Sequence, residues 1–368
     1  MLTAGEMLDY VRGGRAEAFA VSPLFTGVLC QGMHRHDWLK TSNDPDTIEG
    51  ICGIGRDCGF VPFFEVLWFE VGVMDYSEIL EEISGHVRRL HKIFRTPHGE
   101  YVLVDHFERF HSRHVSKTAF RTLDDLKAYE YVIRRSLDKI EQCRPRLREV
   151  IRRTGGRAVP YFTAANPMKC FSLIGDQDRI FLFHDEPDRM LQLCELNEQL
   201  SRAAVKIAAE EGFEVFFCGT ENSLYSPAMI ERYSIPFLVE RREWIRRMGR
   251  LFYLHECGRM QKLLDTGIYQ RLSPDILEGF QPPPSGDITD LAGAVRQLPE
   301  NVVTKGNLDL NLLLRSKAEE IKDASHALLQ GMRGRRHILG GSCSALPGTP
   351  PDNFRAMVEA VTEANREA

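Results

Sequence analysis

The sequence predicts an α/β protein: a single (β/α)8 TIM barrel over residues 1–368, with a β-hairpin insertion near residues 95–120. Three observations predict it. Short apolar or β-rich runs alternate with helically periodic segments for nearly the whole length, and there are eight such runs. No G-x-G-x-x-G follows any of them, which argues against an open dinucleotide-binding sheet. The length of 368 residues suits one barrel, since barrels often reach about 250 residues or more as one unit.

The strand-like runs are Glu17–Phe25, Gly59–Val66, Arg157–Ala164, Phe213–Cys218, Leu251–His255, Ile276–Gln281, Asn301–Lys305 and His337–Gly341. Helical periodicity marks Tyr76–Phe94, Leu123–Thr154, Pro187–Glu211, Pro227–Met248, Arg259–Gly267, Ile288–Gln297, Leu310–Met332 and Pro350–Glu367. Ser226-Pro227 and Thr349-Pro350 each offer an N-cap hydroxyl followed by proline at the first helical position. Tyr101–Asp105 and His111–Phe120 alternate as a hairpin would, on the barrel rim. Gln281-Pro282-Pro283-Pro284-Ser285-Gly286 lies between a strand and a helix, so it reads as a loop and not as a domain boundary.

A formal charge of -5 without a basic excess points away from nucleic acid. Glu6 and Asp9 interrupt the N-terminal residues, which do not read as a secretory signal. Val61–Met74 is too short to span a bilayer and is broken by Glu65 and Glu70. A cytoplasmic protein without membrane attachment is therefore expected, and a homodimer is left open. Nine cysteines in such a chain are expected to be mostly reduced, buried and apolar. Which of them are not is the useful question.

Leu254-His255-Glu256-Cys257-Gly258 closes the fifth strand. Positions two apart in an extended chain share a side, so His255 and Cys257 can converge on one ion. Imidazole nitrogen and thiolate sulfur are ligands that zinc prefers. Cys343 follows the eighth strand in Gly340-Gly341-Ser342-Cys343, on the face where barrel enzymes build their sites. Three protein ligands would leave a catalytic zinc one open position. A buried histidine beside core cysteines is the bland alternative.

Other candidates lie in the strand-to-helix loops. Glu221, after the fourth strand, reads as a displaceable fourth ligand, a substrate-binding or catalytic base residue, or a surface acid, and Asn222 beside it as a substrate contact. The first loop, Cys30-Gln31-Gly32-Met33-His34-Arg35-His36-Asp37, reads as a polar substrate-binding or lid loop carrying His34 and His36, and less readily as a second metal site. Glu65 could point into the barrel mouth and Asn307 could hydrogen-bond a ligand, while Asp309 reads as well as a helix N-cap.

Several of these motifs together resemble the uroporphyrinogen decarboxylase superfamily: His255-Glu256-Cys257-Gly258, Lys305-Gly306-Asn307-Leu308-Asp309, Gly340-Gly341-Ser342-Cys343 through Thr349-Pro350-Pro351, Tyr225-Ser226-Pro227 with Pro236, and Arg121–Leu126. The resemblance runs from about Tyr76 onward and implies a (β/α)8 barrel. The decarboxylase branch carries R-Q-A-G-R after its first strand, where this chain reads Cys30–His36 without it. The other branch comprises corrinoid-dependent methyltransferases, including methylcobamide:coenzyme M methyltransferases. Their zinc motif, H-x-C and a distant C, is matched by His255, Cys257 and Cys343. The resemblance thus implies Zn2+ as cofactor, a methylcobamide as co-substrate on a separate corrinoid protein, and a thiol or tetrahydrofolate as methyl acceptor. Two other readings remain: a metal-free decarboxylase or other lyase of a polycarboxylate, and a corrinoid- or tetrapyrrole-binding protein without turnover.

Overall fold

The computed structural model describes residues 2–15, 18–25, 45–69, 71–108, 114–220 and 224–367. Its main sheet has nine parallel strands: β1 (Phe19–Val21), β2 (Leu24–Phe25), β3 (Phe63–Leu67), β8 (Val159–Thr163), β9 (Val215–Thr220), β10 (Leu251–Glu256), β11 (Ile276–Glu278), β12 (Val303–Leu308) and β13 (His337–Gly341). Their order across the sheet is β1-β13-β12-β11-β10-β9-β8-β3-β2.

The two ends of this sheet, β1 and β2, are consecutive in the chain and separated only by Ser22-Pro23. Proline has no N–H to give a ladder, so the strand breaks there. The Ser22 amide donates to Leu339 O at 3.0 Å on one side. On the other side its hydroxyl donates to Val61 O at 2.8 Å and accepts from the Phe63 amide at 3.2 Å. The sheet therefore curls until its first strand lies between its last and its second, as a TIM barrel requires. All eight strand-like runs of the sequence contribute to it.

Residues two apart along each strand share a face, and two apolar layers result. An inner cluster holds Phe63, Tyr161, Phe217, Tyr253, Ile276, Val303 and Ile338. Edge-to-face contacts of Tyr253 with Phe63, Tyr161 and Phe217, at 4.9–6.1 Å, pack its centre. Helix Ala4–Arg12 adds Met7, Tyr10 and Val11 to this same cluster and stops the end away from the strand C-termini. Thr3 and Glu6 form a capping box at its start. The larger outer cluster lies between the strands and the surrounding helices.

The expected helix at Tyr76–Phe94 is corrected. That stretch forms β4 (Ser77–Ser84) and β5 (Val87–Thr96), which join β6 (Gly99–Glu108) and β7 (His114–Lys117) in a four-stranded antiparallel sheet. This sheet stands where a two-stranded hairpin is expected. β4 is exposed along its whole length, so no buried face imposes a period of two. Ile79, Leu80 and Ile83 thus fall at helix-like spacing. Charged side chains meet across these strands, with Glu81 at 2.9 Å from His91. Lys92 and Asp105, both buried, pair at 2.8 Å, and the Lys92 ammonium sits 4.0 Å from the Phe69 ring centre.

Elsewhere the helical segments appear with breaks. Leu123–Thr154 divides into Leu126–Asp138, a 3-10 turn and Arg144–Thr154, restarting at Pro145. Pro227–Met248 divides at Ser234 before Pro236, with Ser226 capping its first half through the Met229 amide. Helices Pro45–Cys58 and Asp176–Asp185 are additional to those expected. Among the described residues no helix is long and apolar enough to cross a membrane.

Candidate metal centre

Register places three polar side chains in one row on the inner face. His255 of β10 pairs with Glu278 of β11, and Glu278 pairs with Lys305 of β12. Neighbours paired across parallel strands point the same way. All three are buried, with Glu278 and Lys305 wholly inaccessible. The His255 Nδ1–H donates to Glu278 Oε2 at 2.8 Å, Tyr253 OH donates to the same oxygen, and the Lys305 ammonium bonds Oε1. The Phe217 ring stacks on the imidazole at 5.7 Å and 27°. Gly219, the next inward residue of β9, leaves room for that ring: a Cβ there would lie 3.2 Å from it.

With Nδ1 committed to the carboxylate, Nε2 faces the mouth. It lies 3.0 Å from Cys257 Sγ and 3.7 Å from Cys343 Sγ. The three ligand atoms all fall within 4.8 Å of one another. Among the described cysteines, Cys257 and Cys343 are the two that are not fully buried. A tetrahedral zinc with bonds of about 2.3 Å to sulfur and about 2.05 Å to nitrogen sets N···S near 3.5 Å and S···S near 3.8 Å. The set fits such an ion once the Cys257 contact opens by roughly 0.5 Å. A buried carboxylate on the far nitrogen is the usual support for a metal-binding histidine.

The charges follow from these contacts. Burial alone would raise Glu278, but Lys305 and His255 outweigh it and hold its carboxyl at about 2. Burial lowers Lys305, against the pull of Glu278. The Cys257 thiol, donating to the Cys343 sulfur, draws Cys343 well below the usual thiol range and drives itself up. Burial lowers His255, and the two sulfurs more than reverse it.

Tight loops frame the row. Gly279 has φ +132°, and a Cβ there would meet Glu256 O at 2.2 Å, so the chain leaving β11 can carry no side chain. The Gly258 amide donates to Gln281 Oε1 at 2.6 Å, and Asn307 Nδ2 donates to Phe280 O at 2.7 Å. Beneath, buried His337 stands between Thr304 Oγ1, 2.9 Å from Nδ1, and Gly306 O, 2.7 Å from Nε2. Burial pushes its pKa down to about 4, so it is neutral.

Of the other expected site residues, Glu65 lies on β3 and accepts from Thr163 Oγ1 at 3.0 Å, three strands from β10. Asn307 is occupied in bracing Phe280. Asp309 is a helix N-cap, accepting from the amides of Asn311 and Leu312. Cys218 is core, and burial pushes its thiol up to about 11. Glu221, Asn222, His34 and His36 lie outside the described residues. Sequence reasoning passes over Glu278, Tyr253 and the role of Lys305. The available signal is an acid and a lysine at the ends of apolar runs, Ile276-Leu277-Glu278 and Val302-Val303-Thr304-Lys305.

The family model for uroporphyrinogen decarboxylase (URO-D) matches residues 115–364. The chain belongs to this family. Within the uroporphyrinogen decarboxylase family, the enzyme of that name from Prochlorococcus marinus is 34% identical over 76 residues, 21% of each chain. The one from Rickettsia felis is 36% identical over 67 residues, 18% of this chain and 19% of the relative. The chain thus matches about a fifth of these relatives' length. A solved methyltransferase from Methanosarcina mazei superposes over 99% of both chains with a TM-score of 0.70 and 14% identity. A B12-independent methionine synthase from Shewanella covers 95% of this chain and 98% of its own, with a TM-score of 0.52 and 11% identity. At such identities the likeness is one of fold.

Proposed function

We propose that this family member is a zinc-dependent methyltransferase, moving a methyl group between a corrinoid (methylcobamide) and a thiol or tetrahydrofolate acceptor. One observation carries the reading: an imidazole nitrogen and two sulfurs from separate strand ends converge within 4.8 Å at the mouth, over a buried carboxylate that orients the imidazole. The overall likeness to a methyltransferase and a methionine synthase supports it.

His255 Nε2, Cys257 Sγ and Cys343 Sγ would hold the ion. Zinc, when bound, lowers the pKa of an acceptor thiol so that its thiolate form is available near neutral pH. Glu278 and Phe217 keep the imidazole nitrogen turned to the mouth. Glu65, on β3, is proposed as a contact to the bound acceptor. An acceptor sulfur would form the new S–C bond with its own lone pair, the donor methylcobamide would keep the pair of the broken bond, and the thiol proton would go to solvent. The corrinoid would arrive on a separate protein docking over the mouth. Glu221 and Asn222, with His34 and His36, are proposed to complete the substrate site, Glu221 as base or displaceable ligand. A reducing cytoplasm would keep the two thiols available.

A lyase of a polycarboxylate is the second reading, favoured by the names of the matched relatives. The experiment that separates them starts from metal-replete protein. Zinc is measured in wild type and His255→Ala, and demethylation of free methylcobalamin is followed by absorbance with a panel of thiols and tetrahydrofolate. The methyltransferase reading expects about one zinc per chain, lost in the variant, and zinc-dependent demethylation. Zinc-loaded protein that accelerates none of these, with candidate corrinoid proteins also supplied, would overturn it.

A further inference from the structure

Lys305 is wholly buried, and its ammonium bonds a carboxylate that is just as buried. Nothing in holding three metal ligands together requires a cation at this depth. An unpaired buried charge is costly, and a buried pair is commonly replaceable by apolar side chains without loss of stability. Its presence therefore calls for an account beyond folding. The geometry supplies one. Lys305, Glu278 and His255 occupy one register row, so Lys305 Nζ, both carboxylate oxygens and the two imidazole nitrogens form one continuous line to the sulfurs. The Lys305 ammonium also sits 5.7 Å from the Tyr253 ring centre, and Tyr253 shares Glu278 Oε2. Lys305 thus fixes both the place and the charge of the group behind the histidine.

We propose that Lys305 is a positioning residue of the metal centre, acting through Glu278 to cancel the carboxylate charge so that the site keeps its affinity for an anionic acceptor. The inference rests on the reading of the site as a metal centre. A dipositive ion, two thiolates, a neutral imidazole and a Lys–Glu pair sum to zero, and an acceptor thiolate then brings the site to one negative charge. Without Lys305 the same binding would put two negative charges into a site shielded from water, where they repel strongly. The carboxylate alone would still bind His255 and favour the metal cation. Loss of Lys305 should therefore separate metal affinity from acceptor affinity.

The test compares four cobalt-substituted proteins: wild type, Lys305→Met, Glu278→Gln and the double variant. Metal affinity is measured by chelator competition. Thiol binding is measured by titrating 2-mercaptoethanol and reading the sulfur-to-cobalt charge-transfer band. Lys305→Met should hold metal at least as tightly as wild type yet bind thiol about 10-fold more weakly or worse, the scale on which groups behind metal ligands act. The double variant, neutral again, should recover thiol binding while holding metal about 10–100-fold more weakly. Equal thiol midpoints in wild type and Lys305→Met, or no recovery in the double variant, would overturn the proposal. If Lys305→Met does not fold, the pair Glu278→Gln and double variant decides it. Removing the lysine charge from Glu278→Gln must weaken thiol binding about 10-fold, and equal binding there overturns it as well. Wild type that takes up no metal sinks the metal-centre reading instead, which keeps the two failures distinct.

Discussion

His337 should make the fold acid-sensitive by an amount that can be worked from its surroundings. It is buried, its Nδ1 accepts from Thr304 Oγ1, and its Nε2–H donates to Gly306 O. Its pKa falls from 6.5 to about 4 in the native state, with burial as the main cause. The native protein therefore refuses a proton that the unfolded chain accepts at 6.5. The stability tied to this group is complete above pH 6.5, is lost as pH falls towards 4, and changes no further below that. The fall from 6.5 to about 4 corresponds to roughly 3 kcal/mol, at about 1.4 kcal/mol per pH unit. His337→Phe fills the space, cannot titrate, and leaves Gly306 O unbonded, at a cost of about 1–3 kcal/mol at neutral pH. Urea unfolding of both proteins at pH 7.5, 6.5, 5.5 and 4.5 gives a difference curve free of the carboxylates common to both. Wild type should lead at pH 7.5, and its lead should shrink by about 2–3 kcal/mol by pH 4.5. Parallel curves would mean that His337 is protonated in the native state or reached by solvent, and the reasoning would fail.

Cys257→Ser and Cys343→Ser should each lower zinc affinity by orders of magnitude in chelator competition, because thiolates supply much of the affinity at such sites. Retention of full metal by both would refute the ligand assignment. Chelation of wild type should leave far-UV ellipticity almost unchanged, since both apolar clusters are complete without the ion. Glu278→Gln should weaken zinc binding about 10–100-fold while retaining stoichiometric uptake at high metal. Gly279→Ala should cost about 3 kcal/mol or more in urea unfolding, because the left-handed backbone is strained and its Cβ would overlap Glu256 O. An unchanged unfolding midpoint would show that the strand can move aside there.

The eight barrel strands are legible in the sequence because each is a short apolar run, and burial on both faces leaves that mark. His255 and Cys257 are legible as a pair because positions two apart at a strand end share a side. Cys343 is legible as a cysteine following a glycine pair. The antiparallel sheet is not legible, because β4 lies wholly in solvent and carries no alternation. The Glu278–Lys305 pair is missed for another reason. Its meaning lies in register between strands, which places residues 23 and 50 positions from His255 beside one another. No local pattern contains that information. Nor does one reveal that Asn307 is spent on the Phe280 carbonyl.

The break at Ser22-Pro23 has a consequence for how the chain is made. On the ribosome β1 and β2 emerge before the other strands of the sheet, yet β1 finds its neighbour only when His337–Gly341 appears. Until then the nascent sheet has open edges, the state in which a chain is most prone to pair with the wrong strand. The same late segment brings Cys343 to His255, and soon afterwards Asn365, whose side-chain amide clasps both backbone groups of Phe19 at 2.9–3.0 Å. The third ligand thus reaches the mouth with the strand that seals the ring. A growing chain that holds His255 and Cys257 alone has two ligands and an unfinished wall, so tight metal uptake would mark the moment of closure, and a pulse of metal during synthesis would time it.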